Sequence, residues 1–308
     1  MSSSSASLVR IATRESPLAL WQAHYVAGEI RRTSPDVTVE LVPLSTSGDR
    51  DRISTLSSMG GQGVFTREIQ RAVLTEIADL AVHSLKDLPT EPTAGLLLAG
   101  VPKRASRFDA LVLPAGTTGT LEQLKQAARV GTSSPRRQAQ LLRFRPDLQL
   151  LEVRGNVDTR LAKLDQGDYD AIILAAAGLE RLGLGSRASQ MLMPPVMFPA
   201  VGQAALGIEC RSSDIRCQEL LKRFSDPGTG AEVLAERSCL ATLRAGCHAP
   251  VGVLTRQAGS LLHLEAVVLS LDGRQFWKAE VSGSSEHSAA VGAQAAQQLL
   301  DQGATVGG

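Results

Sequence analysis

Apolar positions along this chain follow two rhythms in turn. A short apolar run at residues 8–12 is followed by Ser16-Pro17, an N-cap and N1-proline pair, and then by helical spacing over residues 18–31. Alternation returns over residues 37–44 and predicts a second strand. Residues 50–63 are polar and rich in Ser and Gly; they carry neither rhythm and read as a mobile loop. An amphipathic helix is predicted over 65–75, then a short buried strand over 80–83 that runs into Ser84-Leu85-Lys86-Asp87. A second set places strands at 110–113, 128–131, 148–153 and 171–174. Its helices start at Ser134-Pro135, at Asn156 or Asp158, and near residue 177. Strands alternating with helices predict parallel sheets and an α/β class.

The Pro-rich stretch 193–199 breaks the alternation and reads as a crossing between domains, after which 202–211 returns to the first one. Pro227-Gly228 opens a smaller unit with a helix over 231–243, three strands between 251 and 281, and a helix over 288–302. That order is α+β. The expected division is 1–102 with 200–222, then 103–199, then 226–308, within the two or three domains that 308 residues allow. No internal repeat is visible.

Composition narrows the function. Aromatic residues are 3% of the chain, too few for the stacking platforms of a single-strand nucleic-acid binder. A net charge of +1 gives no global field to recruit DNA or an acidic membrane. The four cysteines, at 210, 217, 239 and 247, form no C-x-x-C pair and no zinc spacing, so no metal site is expected. They also suggest no disulfide scaffold, so a reducing, cytoplasmic compartment is expected. The Ser-rich start lacks the apolar region of a secretory signal, and no apolar run reaches the ~18 residues that span a bilayer. A removed transit peptide stays open.

Arginine supplies 26 of the 32 Lys and Arg residues, so position must show whether this is genomic bias or carboxylate recognition. Ligands of open α/β sheets bind beyond the carboxyl ends of the strands. Arg14, Lys86, Arg136, Arg137, Arg154, Arg160 and Arg181 all follow predicted strands or open the next helix. A helix N-terminus is already positive, which makes Arg136, Arg137 and Arg160 unfavourable there unless an anion arrives. The pattern predicts a ligand rich in carboxylate or phosphate. No phosphate loop is present, and Gly60-Gly61-Gln62-Gly63 matches no dinucleotide fingerprint.

Asp87 is a lone carboxylate among these cations, a candidate for acid–base work or for stabilising a developing cation, or else a partner that orients Lys86. Cys247 sits in Ala245-Gly246-Cys247-His248-Ala249-Pro250, a turn of small residues with His248 as a possible base. A lone turn cysteine is also often inert.

At this point the residues resemble a family. The stretch Arg10-Ile11-Ala12-Thr13-Arg14-Glu15-Ser16-Pro17-Leu18-Ala19-Leu20-Trp21-Gln22 is similar to the N-terminal signature of porphobilinogen deaminases. So are Ala81-Val82-His83-Ser84-Leu85-Lys86-Asp87, Gly131-Thr132-Ser133-Ser134-Pro135-Arg136-Arg137, Arg154-Gly155-Asn156-Val157-Asp158-Thr159-Arg160, Pro199-Ala200-Val201-Gly202-Gln203 and Gly246-Cys247. The motifs occur in order along nearly the whole chain.

The resemblance implies two α/β domains like type II periplasmic binding proteins, with the active-site cleft between them, and a smaller C-terminal α+β domain. It implies a dipyrromethane cofactor held through Cys247 as a thioether, and stepwise addition of porphobilinogen to give hydroxymethylbilane. Asp87 would be the catalytic carboxylate. Lys86, Ser84, Arg136, Arg137, Thr132, Ser134, Arg154, Gly155 and Asn156 would bind the cofactor. Arg14, Ser16, Gln22, Arg160, Arg181, Gln203 and Phe65 would bind substrate. A monomer without nucleic-acid or membrane partners is expected.

Departures from the family pattern stand at Ser47, Ser58 and Gln62, where many relatives carry cations, and at Ala204, where Gly is common. A two-lobed solute receptor would use the same arginines without chemistry, and a covalent pyrrole adduct at Cys247 separates the two readings.

Overall fold

The computed structural model describes residues 7–46, 66–246 and 249–306. Ser47, the 50–63 loop with Ser58 and Gln62, Phe65, Cys247 and His248 lie outside the described residues. The chain divides into two compact units, Met1–Arg104 with Ala205–Gly230, and Ala105–Ala204 with Ala231–Gly308.

The first unit opens with β1 (Ser7–Arg14), α1 (Pro17–Thr33) and β2 (Val37–Leu44). Ser16 caps α1, its side chain accepting from Ala19 N, with Pro17 at the first helical position. The helix buries Ala19, Ala23, Val26, Ala27 and Ile30, a stripe at three- and four-residue spacing. After α2 (Arg67–Leu74), β3 (Leu80–Ser84) and β4 (Leu96–Gly100), the chain leaves and later returns as β10 (Leu206–Arg211) and α6 (Ile215–Lys222). The sheet order is β2-β1-β3-β10-β4. β1 runs parallel to β2 and β3, whereas β10 is antiparallel to both β3 and β4. Ile11, Leu80 and Ile208 on neighbouring strands are fully buried with Ile30 from α1.

The second unit holds β5 (Asp109–Val112), β6 (Arg129–Gly131), α3 (Pro135–Phe144), β7 (Gln149–Leu151), α4 (Val157–Asp165), β8 (Ala171–Ala175), α5 (Ala176–Arg181) and β9 (Gln190–Leu192). Its sheet order is β7-β6-β8-β5-β9. The two sheets share one plan: second, first and third strands parallel, then an antiparallel strand, then a last edge strand. In each case the antiparallel strand, β10 or β5, is the first one made after the chain crosses from the other unit.

The α/β class is as expected, but the sheets are mixed rather than parallel. An apolar run states that a strand is buried and is silent on its direction. β4 and β9 carry no strand signal in the sequence. β9 has three residues, too few to set up a period, and β4 is a short Leu-rich run that reads equally as loop or buried helix.

The division between units falls inside α7 (Pro227–Thr242). Beyond it, β11 (Val251–Ala258), β12 (Leu261–Leu269) and β13 (Phe276–Ser284) form an antiparallel sheet against which α8 (Ser288–Asp301) packs. This segment docks on the rest of the second unit. Arg107 donates to Glu232 Oε2 at 2.7 Å and to the Thr255 carbonyl at 2.7 Å. Gly273, at φ +72°, brings its turn so close to α3 that a Cβ would stand 2.4 Å from the Ala139 carbonyl oxygen. No helix among the described residues is long and apolar enough to cross a membrane.

Candidate active site

In the first unit the predicted residues gather at one edge of the sheet. β1 and β3 are parallel neighbours, with Ile11 beside Leu80 and Ala12 beside Ala81, so their carboxyl ends emerge together. Arg14 ends β1, and Ser16 begins the helix that follows. Ser84 ends β3 and leads into a single 3-10 turn, Leu85–Asp87, which carries Lys86 and an exposed Asp87. Gln22, buried on α1, donates from Nε2 to Ser84 Oγ at 2.8 Å. Arg14, Ser16, Gln22, Ser84, Lys86 and Asp87 therefore belong to one sheet edge.

The second unit repeats the arrangement. β6 runs parallel to β7 and β8, so Thr132 and Ser134 after β6 and Arg154, Gly155 and Asn156 after β7 stand at one edge, while Arg181 ends α5, the helix that leaves β8. Asn156 caps α4, its Oδ1 accepting from Thr159 N at 2.9 Å. Gly155 has φ +107°, and a Cβ there would meet Thr159 Cγ2 at 2.6 Å, so only glycine fits. Arg160 bends back and donates from Nε to the Gly155 carbonyl at 2.8 Å. Ser134 occupies the N-cap position of α3, yet its hydroxyl makes no capping bond.

Arg136 and Arg137 are not solvated. They enclose Asp109, a residue the sequence reading did not single out. Asp109 is fully buried, with Arg136 5% and Arg137 8% exposed at their side chains. Arg137 donates to Asp109 Oδ1 from Nε at 3.1 Å and from Nη2 at 2.7 Å, and its Nη1 donates to the Ile173 carbonyl. Arg136 Nη1 stands 2.8 Å from Asp109 Oδ2 and donates to the Phe198 carbonyl at 2.6 Å. Gln203, also buried, donates from Nε2 to Asp109 Oδ1 at 3.1 Å and to the Arg107 carbonyl at 2.8 Å. Burial works against the Asp109 charge, but the two guanidiniums outweigh it and hold the carboxyl well below its ordinary range. Burial also lowers Arg136, only partly offset by Asp109. Two buried cations thus face one carboxylate, and Arg136 Nε is buried with no hydrogen-bond partner among the described residues.

Asp109 escaped notice because of strand direction. It opens β5 rather than closing it, and β5 is antiparallel to β8, with Asp109 opposite Ala175. An antiparallel strand brings its first residue to the edge where its parallel neighbours bring their last. The available signal was a lone carboxylate immediately before a fully apolar run.

Arg181 donates from Nη2 to the Ala204 carbonyl at 2.7 Å. Ala204 has φ +68°, the left-handed region that favours glycine. Cys210, Cys217 and Cys239 are buried, and burial pushes their thiols up to about 11, 12 and 12. No group of His, Cys, Asp and Glu among the described residues is arranged to hold a metal ion.

Residues 9–219 match the family described as porphobilinogen deaminase, dipyromethane cofactor binding domain, and residues 231–301 match porphobilinogen deaminase, C-terminal domain. The chain is 46% identical over 301 residues to the porphobilinogen deaminase of Legionella pneumophila (strain Paris), covering 97% of each chain. It is 47% identical over 296 residues to that of Stenotrophomonas maltophilia (strain R551-3), covering 96% of this chain and 97% of the relative. Among solved structures, a periplasmic sulfonate-binding protein from Methylobacillus flagellatus KT aligns at TM-score 0.39 and 16% identity, over 78% of this chain and 69% of that one. A periplasmic domain of BvgS from Bordetella pertussis aligns at TM-score 0.42 and 12% identity, over 70% and 86%. The matches to the family run through both α/β sheets and the C-terminal segment, and on them this chain belongs to the porphobilinogen deaminase family.

Proposed function

We propose that this chain condenses porphobilinogen units, with loss of ammonia, onto a dipyrromethane primer held by Cys247 as a thioether, and then releases hydroxymethylbilane by hydrolysis. The observation that carries this reading, beyond family membership, is the buried cation excess around Asp109. Two guanidiniums, one carboxylate and an orphaned Nε form a donor set short of one anion, and a tetrapyrrole chain carries an acetate and a propionate on every ring. A dipyrromethane therefore fits the residues present. When bound, it supplies the pyrrole carbon at which the product chain grows.

The protein's own groups divide the remaining work. Arg136, with Lys86, Ser84, Thr132, Ser134, Arg154, Gly155 and Asn156, would hold the primer, and Arg137 would keep Asp109 in place beneath it. Arg14, Ser16, Arg160 and Arg181 would bind the incoming substrate through its carboxylates, for which a planar guanidinium is better suited than an ammonium. Gln22 and Gln203 act by orienting Ser84 and Asp109. Asp87 would stabilise the positive charge that develops on the pyrrole as ammonia departs, and help move the displaced proton. Its exposed place in the turn after β3 leaves it free to meet substrate. Phe65 would bind on the substrate side. A cytoplasmic monomer that meets neither nucleic acid nor membrane completes the reading.

The test is turnover of porphobilinogen by Asp87→Asn and Asp87→Glu. Loss of one such electrostatic group costs a factor of ~10²–10³, so the Asn variant should fall by that order while the Glu variant falls less. Near-normal product formation by Asp87→Asn would leave Asp87 only a partner for Lys86.

A further inference from the structure

A second buried polar cluster lies in the first unit, behind the segment that carries Asp87. His83 on β3 and Glu209 on β10 are 4% and 6% exposed at their side chains, with His83 Nε2 3.0 Å from Glu209 Oε2. Gln70 on α2, also buried, donates from Nε2 to both carboxylate oxygens, at 3.2 Å to Oε1 and 3.0 Å to Oε2. Three elements distant in sequence therefore meet at one carboxylate. His83 Nε2 packs against that oxygen without forming a hydrogen bond.

Such a cluster is a poor way to gain stability. A buried polar cluster repays its desolvation only with good geometry, and apolar groups of similar volume often do as well. Its value lies in fixing position, because a carboxylate shared by three elements tolerates little sliding between them. What it fixes is the end of β3. His83 pairs with Gly207 and Ser84 with Leu206 in the antiparallel ladder, and Leu85 N donates to the Ala205 carbonyl at 3.0 Å. The next two residues are Lys86 and Asp87. Gly207, opposite His83, lets Leu85 pack close against β10, since a Cβ there would stand 2.6 Å from Leu85 Cδ1.

We propose that His83, Glu209 and Gln70 are positioning residues that hold the β3 exit, and through it Asp87, in register for reaction. The proposal rests on the reading of Asp87 as the reacting carboxylate. A misplacement of the order of 1 Å can cost up to ~10²-fold in rate without loss of binding. Glu209→Gln should therefore lower kcat about tenfold per folded protein, with KM for porphobilinogen changed less than about twofold and the mass of the bound primer unchanged. Gln70→Glu combined with Glu209→Gln returns one carboxylate and one carboxamide to the same site and should recover part of the loss. Gln70→Met keeps the His83–Glu209 pair, should lower kcat by a few-fold, and serves if Glu209→Gln does not fold.

The measurement is steady-state kcat and KM, normalised to folded protein by circular dichroism, with intact mass for primer content and Asp87→Asn run in parallel. A lower kcat at unchanged KM, with recovery in the swapped double variant, is the expected result. A loss of activity that only follows the folded fraction, or a full kcat in Gln70→Met and Glu209→Gln beside an inactive Asp87→Asn, overturns the positioning role alone. Near-normal turnover by Asp87→Asn overturns the underlying reading and this proposal with it.

Discussion

Asp109 Oδ2 lies 2.8 Å from Arg136 Nη1, and neither side chain is open to water. Arg137 closes on the other oxygen, so removing the carboxylate would leave two buried guanidiniums facing each other. Breaking a buried pair from one side typically costs about 3–5 kcal/mol. Asp109→Asn should lose stability of that order in chemical denaturation, and its folded fraction should hold less primer. A loss below about 1 kcal/mol would mean that the second unit does not depend on this cluster.

Acid should weaken the second unit in a defined window. Burial disfavours the Asp170 charge, but the Arg129 backbone N–H, the Arg129 side chain and Lys125 outweigh it and bring the carboxyl down from 3.8 to about 2. A carboxyl with a lower pKa folded than unfolded binds fewer protons in the native state, so its contribution is complete above about pH 4 and fades towards pH 2. Asp109 acts in the same direction. Denaturant unfolding between pH 5 and pH 2 should show this fall, and Asp170→Asn should flatten part of it. Identical curves for the two proteins would remove Asp170 from the account.

Ala204 is the departure from the family pattern with a visible structural cost. A left-handed backbone costs a non-glycine residue about 1–2 kcal/mol, while glycine's extra chain entropy costs roughly 0.5–1 kcal/mol. Ala204→Gly should therefore stabilise by up to about 1 kcal/mol, read as a higher Tm, while the Arg181 contact to its carbonyl remains possible. A clear fall in Tm would contradict the strain argument.

Cys210, Cys217 and Cys239 should resist alkylation in the native protein at neutral pH. The thiolate is the nucleophile, and burial holds all three thiols at about 11 to 12. Peptide mapping after iodoacetamide treatment should find them unmodified until the protein unfolds. Rapid labelling of any one would mean that its pocket opens readily.

What the sequence disclosed, and what it hid, follow from strand direction and distance. Ser16-Pro17 announces α1, and of the two starts the sequence offers for α4, Asn156 and Asp158, the structure takes Asn156, because capping is local chemistry written in adjacent residues. The cations after β1, β3, β6 and β7 were legible because, within each sheet, parallel strands send their carboxyl ends to one edge. Asp109 and Glu209 were not, since each lies on the antiparallel strand of its sheet and meets partners far away in the chain. The burial of Arg136 and Arg137 was hidden for the same reason. Their position predicted an awaiting anion, and only the fold supplied the first one.

Intact mass of the purified protein tests the attachment of the primer at Cys247 most directly. The wild-type protein should exceed its sequence mass by one covalent dipyrrole. Cys247→Ser should run at its sequence mass and turn over almost no porphobilinogen, while Ser at 210, 217 or 239 should leave the adduct in place. A wild-type protein at its bare sequence mass that still makes product, or a Cys247→Ser protein that keeps the adduct, would contradict it.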